Sequence, residues 1–165
     1  MKKLTLICMA IIATMFFGSC RGPQGPMGNA NVASSTVTAS SRDWKWENGS
    51  WCLTIDYNAI SQNIDDFGAV LVYMYDQNAW RQIPMTYYYS EMIDGEERFF
   101  SSSLEVATQP GKVYIYWTEN DFTDIGAPGT HDFKIVAIAA NIYANRQDVD
   151  YSNYEAVKTV FQLAD

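Results

Sequence analysis

The feature that most constrains the fold of this chain is an Asn-Gly pair between two short runs of alternating side chains. Asn48-Gly49 follows a Trp-Lys-Trp-Glu run and precedes a Ser-Trp-Cys-Leu-Thr-Ile run. Because Asn-Gly supplies the two positive φ angles of a type I′ turn, the pattern predicts a two-residue β-hairpin. Its register puts two apolar pairs on one face: Trp46 with Trp51, and Trp44 with Leu53. We expect that face to belong to the core.

Alternation of period two, interrupted by turn residues, continues through most of the chain after residue 31. The nearly continuous apolar run at residues 69–75 is typical of a central strand that is covered on both faces. Further strands are expected at residues 80–83, 85–89, 99–106, 112–118 and 133–139, with turns at Asp94-Gly95 and Pro110-Gly111. The spacing predicts a mainly β fold, an antiparallel β-sandwich of about eight strands.

Near the C-terminus the apolar period changes from two to that of a helix. Ser152 and Glu155 have the spacing of a capping box. An apolar stripe follows at helical spacing: Tyr154, Val157, Val160 and Phe161. We therefore expect one C-terminal α-helix that packs its stripe against a sheet or covers an open edge.

The N-terminus has the three parts of an export signal. Lys2 and Lys3 precede an apolar run at residues 4–17, and Gly18-Ser19-Cys20 follows as a small-residue cleavage site. The run is shorter than the roughly 20 residues that a membrane-spanning helix needs. We expect residues 1–19 to be a signal peptide that is removed.

The segment Phe17-Gly18-Ser19-Cys20 resembles the lipobox of bacterial lipoproteins. The resemblance implies that Cys20 is the first residue of the mature protein and is lipidated. Its acyl chains would anchor the protein to a membrane. Arg21 stands where Asp would favour the inner membrane, so the resemblance implies an outer-membrane lipoprotein that faces the periplasm or the cell surface. An ordinary secretory signal with a chance Cys is the alternative.

A Gly-Pro segment follows Cys20 directly. Gly22, Gly25 and Gly28 recur every third residue, and Pro follows the first two. This is the period of a collagen triple helix, but so short a stretch favours a polyproline-II spacer over a trimer. We assign residues 20–30 to the lipidated Cys and this collagen-like spacer, and residues 31–165 to the β-sandwich domain.

A lipobox followed by Gly-Pro-x triplets and a compact β domain resembles the small collagen-like lipoproteins of Gram-negative anaerobic gut bacteria. The resemblance extends less specifically through residues 67–73 and 153–158. It implies a cell-envelope location and brings no catalytic residue, since the family has no assigned activity.

Composition excludes several kinds of function. Loss of Lys2 and Lys3 with the signal leaves nine basic and nineteen acidic residues, a formal charge of −10, so nucleic acid is an improbable partner. The only other Cys beyond Cys20 in the mature chain is Cys52, which on its strand is expected to be a small buried side chain. Too few His and Cys remain for a zinc site, and we expect neither a metal nor a cofactor.

His131 is the only histidine and lies in a Gly- and Pro-containing stretch that reads as a loop. Nothing like a nucleophile elbow or a Cys-His pairing accompanies it, so we predict no catalytic residue. The acidic stretch at residues 119–124 offers oxygen ligands for Ca²⁺, but it lacks EF-hand spacing and is more typical of solvated loop acids.

Aromatic residues make up 15% of the chain, which is more than a small core needs. Exposed rings beside amides and carboxylates would form a stacking platform for sugars, and the candidates are Trp80, Tyr87, Tyr88 and Tyr89. Successive rings on a strand face opposite ways, so at least one of the three tyrosines should point outward. The competing interpretation is that these rings fill the sandwich core or flank its edges.

Three functional hypotheses follow. The first is a non-enzymatic, membrane-anchored cell-envelope module that binds a ligand or envelope protein, or that has a structural role. The second is a carbohydrate-binding accessory domain that uses exposed Trp and Tyr. The third is a hydrolase that uses His131, which requires an acid partner and a nucleophile within about 3 to 4 Å of the ring.

Overall fold

The computed structural model describes residues 31–163, which form two stacked antiparallel sheets. The nine strands of this part of the chain are β1 (Val32–Ala39), β2 (Trp44–Glu47), β3 (Ser50–Asp56), β4 (Ala69–Asp76), β5 (Ala79–Ile83), β6 (Met85–Ile93), β7 (Glu96–Gln109), β8 (Lys112–Glu119) and β9 (His131–Ile138). Its helices are α1 (Gln62–Phe67), α2 (Ala140–Asn145) and α3 (Tyr154–Phe161). The expected β-sandwich with a C-terminal helix is confirmed.

The strands divide between a four-stranded and a five-stranded sheet. The first, called sheet A, has the order β1-β9-β4-β5, and the second, called sheet B, has the order β2-β3-β8-β7-β6. The chain enters sheet A, forms the β2–β3 hairpin of sheet B, and returns to sheet A for β4 and β5. It crosses between the sheets again from β8 to β9, along the connection at residues 120–130.

The hairpin predicted at Asn48-Gly49 is present. Asn48 has a φ of 52° and Gly49 a φ of 81°, as a type I′ turn requires. The strand register pairs Trp46 with Trp51 and Trp44 with Leu53. Trp44 and Leu53 are buried, whereas the other pair is only half-buried.

The main core lies between the two sheets. Sheet A contributes Val72, Met74, Ile83, Phe133 and Ile135, and sheet B contributes Trp44, Leu53, Ile55, Leu104, Val113 and Ile115. Strand β4 lies between β9 and β5 and buries residues on both of its faces, as the apolar run predicted. Its Leu71 and Tyr73 face away from sheet B, into a second core.

Helix α3 forms that second core on the outer face of sheet A. Tyr154, Val157 and Phe161 are buried there and Val160 is half-buried, so the predicted stripe is confirmed. The start of the helix differs from the predicted capping box. Its N-cap is Asn153, whose side chain accepts from the backbone N–H groups of the first turn, while the Ser152 hydroxyl donates to Asp150 at 2.6 Å. No helix within residues 31–163 has the length and apolar character to span a membrane.

Candidate functional site

A cleft of about 410 Å³ opens on the inner face of sheet B. Its walls carry four aromatic rings, those of Trp46, Trp51, Tyr89 and Trp117, and its polar side chains are Glu91, Ser102 and Glu119. The remaining wall is the connection from β8 to β9, through residues 125–128. Since no residue of sheet A lines it, the cleft occupies the part of sheet B that extends past its partner sheet. We call it the aromatic cleft.

Strand pairing places the three indoles of the cleft in one row. Trp46 pairs with Trp51 across β2 and β3, and Trp51 pairs with Trp117 across β3 and β8. The rings of Trp46 and Trp51 lie 5.6 Å apart, centroid to centroid, with an interplanar angle of 58°. Residues paired across a sheet share one face, so alternation directs all three toward the sandwich interior. Trp117 also packs on His131 at the start of β9, but no residue of sheet A lines the cleft beside the three rings.

A buried carboxylate stands beside the rings. The Glu119 residue is 4% exposed, and its two carboxylate oxygens accept hydrogen bonds from the Tyr89 hydroxyl at 2.7 Å and the Ser102 hydroxyl at 2.6 Å. Because both hydroxyls donate their hydrogen bond to Glu119, their oxygens can still accept a hydrogen bond from another donor. The hydrogen bond to Glu119, assisted by burial, raises the pKa of Tyr89 to about 12.

The β8–β9 connection is fastened to the hairpin by Asp124. Its Oδ1 accepts from the indole N–H of Trp51 at 3.1 Å and from the backbone N–H of Gly126 at 2.9 Å. Earlier in the same connection, the ring of Phe122 lies against Gly49, with Cδ1 at 3.3 Å from the place that a Cβ would occupy. The cleft wall is therefore held by contacts to strand β3 and to the turn of the β2–β3 hairpin.

The charge of the cleft is negative. Its lining contains the carboxylates of Glu91 and Glu119 and no Lys or Arg. Arg98 lies opposite Glu91 in the β6–β7 register, but within residues 31–163 no ion pair joins them. The cleft thus combines aromatic faces with hydrogen-bond acceptors, which suits a ligand that is rich in donors.

The four aromatic residues predicted from the sequence do not form one platform. Tyr89 lies in the cleft, and Tyr87 lies next to it, stacked on Trp117 at 6.3 Å, with burial as the main cause that raises its pKa to about 12. Tyr88 is on the opposite face of sheet B and is 84% exposed, so one of the three tyrosines does point outward. Trp80 packs on the outer face of sheet A, against Tyr154 of α3.

Sequence reasoning missed most of the residues that line the cleft. The sequence predicts the Trp46–Trp51 pair in the core and Trp117 as an ordinary strand residue. It also predicts Glu119 in a solvated acidic loop, which is wrong: Glu119 is the last residue of β8 and is buried. The excess of aromatic side chains was a genuine signal, but it could not locate them. A better signal is the presence of three inward-facing Trp residues on adjacent strands, which exceeds what one core row needs.

His131 is the first residue of β9 and not a loop residue, which corrects the expectation from its Gly- and Pro-rich surroundings. Its half-buried ring packs against Trp117 at 5.2 Å and Phe133 at 6.4 Å, and burial lowers the pKa of the imidazole. Thr38, on the neighbouring strand β1, donates its hydroxyl proton to Asp132 and not to the imidazole. The imidazole of His131 therefore packs among aromatic rings.

Asp121 and Asp124, in the acidic connection after β8, both accept hydrogen bonds from the protein. Asp121 accepts from the backbone N–H of Thr123 at 3.0 Å, which lowers the pKa of its carboxyl group, and Asp124 bonds Trp51 and Gly126 as above. In residues 31–163, no group of three or more His, Cys, Asp or Glu is arranged to hold a metal ion. Cys52 is buried on β3, as expected, and burial raises the pKa of its thiol.

Comparison with known proteins returned no similarity: no family model, no curated protein and no solved structure matches this chain.

Proposed function

We propose that this chain is a non-enzymatic, lipid-anchored module of the bacterial cell envelope whose aromatic cleft binds a carbohydrate. The observation that carries the proposal is the row of three indoles beside Tyr89, Ser102 and Glu119. Small-molecule sites are typically concave and mostly apolar, with a few convergent polar groups, and the aromatic cleft has this character.

The chemistry of a sugar matches the two kinds of surface in the cleft. The C–H face of a pyranose is apolar and packs on an aromatic ring, while its hydroxyls are hydrogen-bond donors. The carboxylates of Glu91 and Glu119 can only accept hydrogen bonds. The hydroxyl oxygens of Tyr89 and Ser102 can accept them as well, because each hydroxyl already donates a hydrogen bond to Glu119. Hydrogen bonds to an ionised acceptor are roughly twice as strong as neutral ones, so the carboxylates would fix the orientation of the ring.

The proposed lipid anchor would locate this binding at the membrane. Cys20 and the Gly-Pro segment lie outside the described residues, and the proposal for them rests on the sequence. Two or three acyl chains on Cys20 would hold the protein firmly, at about 0.8 kcal/mol for each buried CH₂. A polyproline-II spacer over residues 22–30, at about 3.1 Å per residue, would lift the domain some 20 to 30 Å from the membrane.

Binding is tested with the mature protein on a glycan array, followed by calorimetry on the glycans retained. We expect binding that Trp46→Ala or Trp51→Ala abolishes. Trp80→Ala and Tyr88→Ala are the matched controls, since these aromatics lie on other surfaces, and both should retain binding. Loss of binding in the two controls alone would move the site to the positions that the sequence suggested. The absence of binding to any glycan would overturn the carbohydrate assignment.

The anchor is tested separately by mass spectrometry of the protein purified from cell envelopes. We expect an N-terminal peptide that begins at Cys20 and carries a diacylglyceryl group and an amide-linked acyl chain. Cys20→Ala should leave a protein that carries no acyl group at position 20. An unmodified N-terminus at Arg21, or at any later residue of the native protein, would refute acylation at Cys20.

A further inference from the structure

We infer that the aromatic cleft prefers a ligand that carries a positively charged nitrogen, and that Glu91 is the residue that sets this preference. The inference rests on the proposed function, because it narrows the carbohydrate to one class, a sugar that carries a free amine. The inference depends on two features of the cleft together, the faces of its aromatic rings and its carboxylates.

The rings are the first part of the argument. An aromatic face carries partial negative charge, and indole attracts a cation more strongly than the rings of Tyr or Phe do. Three of the four rings in the cleft are indoles, and those of Trp46 and Trp51 lie side by side with their centroids 5.6 Å apart. Stacking of this kind favours a sugar in general, and an ammonium group in particular.

The carboxylates are the second part, and they have different tasks. Glu119 is buried and already accepts hydrogen bonds from two hydroxyl groups, so its position is fixed and its charge is partly compensated. Glu91 is exposed at the mouth of the cleft and, within residues 31–163, accepts no hydrogen bond and forms no ion pair. Arg98 is paired with it in the β6–β7 register, yet within residues 31–163 the two form no ion pair. Glu91 therefore offers an uncommitted negative charge to a ligand that stacks on the indoles.

The overall charge supports the same choice. An acidic sugar would place its carboxylate in a cleft that has two carboxylates and no basic side chain, and like charges repel. A neutral sugar would gain charge-assisted hydrogen bonds from its hydroxyls, but no cation–π contact and no attraction between opposite charges. A free amine would gain both a cation–π contact and a charge-assisted hydrogen bond, which together favour it by about tenfold in affinity.

The test uses the mature lipoprotein in detergent and compares three β-1,4-linked tetrasaccharides by calorimetry: glucosamine, its fully N-acetylated form, and glucose. Choline chloride is the fourth probe, because it supplies a cation without a sugar. At slightly acidic pH and low salt, we expect the glucosamine tetrasaccharide to bind about tenfold more tightly than the other two, and added salt to reduce the difference. Glu91→Gln should remove the preference, while Arg98→Gln, the matched control, should retain or increase it.

The outcomes separate the two proposals. Equal binding of all three tetrasaccharides, or a preference for the free amine that survives Glu91→Gln, would overturn the inference and leave the carbohydrate function standing. Binding of choline with no binding of any tetrasaccharide would support the preference for a cation and overturn the carbohydrate function. No binding of any of the four probes would overturn both.

Discussion

The indole N–H of Trp51 donates to Oδ1 of Asp124 across 3.1 Å, and this bond joins the β2–β3 hairpin to the connection that closes the aromatic cleft. The same Oδ1 also accepts from the backbone of Gly126. One carboxylate oxygen therefore positions both a ring of the cleft and the wall that faces it. The shape of the cleft depends on this link.

Asp124→Ala should loosen the connection without unfolding the sandwich. Loss of two hydrogen bonds of this exposed kind costs roughly 1 kcal/mol each. We expect faster protease cleavage within residues 120–130, measured by mass spectrometry, and weaker glycan binding. Asp121→Ala is the matched control, because Asp121 bonds only within the connection and should leave the cleft intact. Equal cleavage in the two variants would show that the Trp51 bond does not hold the wall.

Gly49→Ala and Gly95→Ala form a matched pair that separates backbone strain from contact. Their φ angles are nearly equal, 81° and 83°, so each loses about 1 kcal/mol from the positive φ alone. A methyl group at Gly95 meets nothing within 4 Å, but at Gly49 it meets the ring of Phe122 at 3.3 Å. We expect a larger loss of unfolding free energy in urea for Gly49→Ala. In a Phe122→Ala background the two losses should become equal, and a difference that persists there would exclude Phe122 as its source.

Lys134 should stabilise the attachment of α3 to sheet A. The residue is 3% exposed, and its Nζ lies 5.1 Å from the ring centroids of both Trp80 and Tyr154. Lys134→Ala removes both cation–π contacts and the packing of the aliphatic stem, for an expected loss of about 2 kcal/mol in urea unfolding.

Two variants serve as references for Lys134. Lys134→Met keeps most of the stem and should lose less, while Lys45→Ala, at an exposed position of β2, should change stability by less than about 0.5 kcal/mol. If Lys134→Ala were no more harmful than Lys45→Ala, the aromatic contacts would contribute nothing.

Tyr89 should titrate at an unusually high pH because of Glu119. Its pKa of about 12 in the folded state lies above the ordinary value of 10, so the neutral phenol is favoured by folding. This contribution to stability is complete below pH 10 and is lost as the pH rises through about 12. Glu119→Gln removes the carboxylate that faces the phenolate and should lower the pKa of Tyr89.

Phenolate absorbance between pH 10 and pH 12 measures the shift, and Tyr89→Phe identifies which tyrosine is responsible. We expect Glu119→Gln to show about one additional phenolate in that range, and the Tyr89→Phe/Glu119→Gln double variant to lack it. The additional phenolate would persist in the double variant if another tyrosine were coupled to Glu119.

Local patterns predicted the fold well because they act between neighbours in the chain. The Asn48-Gly49 turn fixes the register of its own hairpin, and the stripe that begins at Tyr154 needs only helical spacing. The sequence pattern places the N-cap of α3 one residue too early, because the side chain of Asn153 accepts from the backbone N–H groups of the first turn and spacing does not reveal which of the two polar residues does so.

The sequence alone determined which side chains face inward, whereas only the tertiary structure decided what covers them. Trp44 and Trp46 are two residues apart on the same face, but Trp44 packs on Phe133 of sheet A at 6.1 Å and is core, while Trp46 lies past sheet A and lines the cleft. Lys134 and Glu119 are likewise charged residues of strands whose burial depends on partners distant in the chain. The alternation of side chains along a strand determines which face of the sheet each residue lies on, but not how far the opposite sheet covers that face. That extent is set by packing alone.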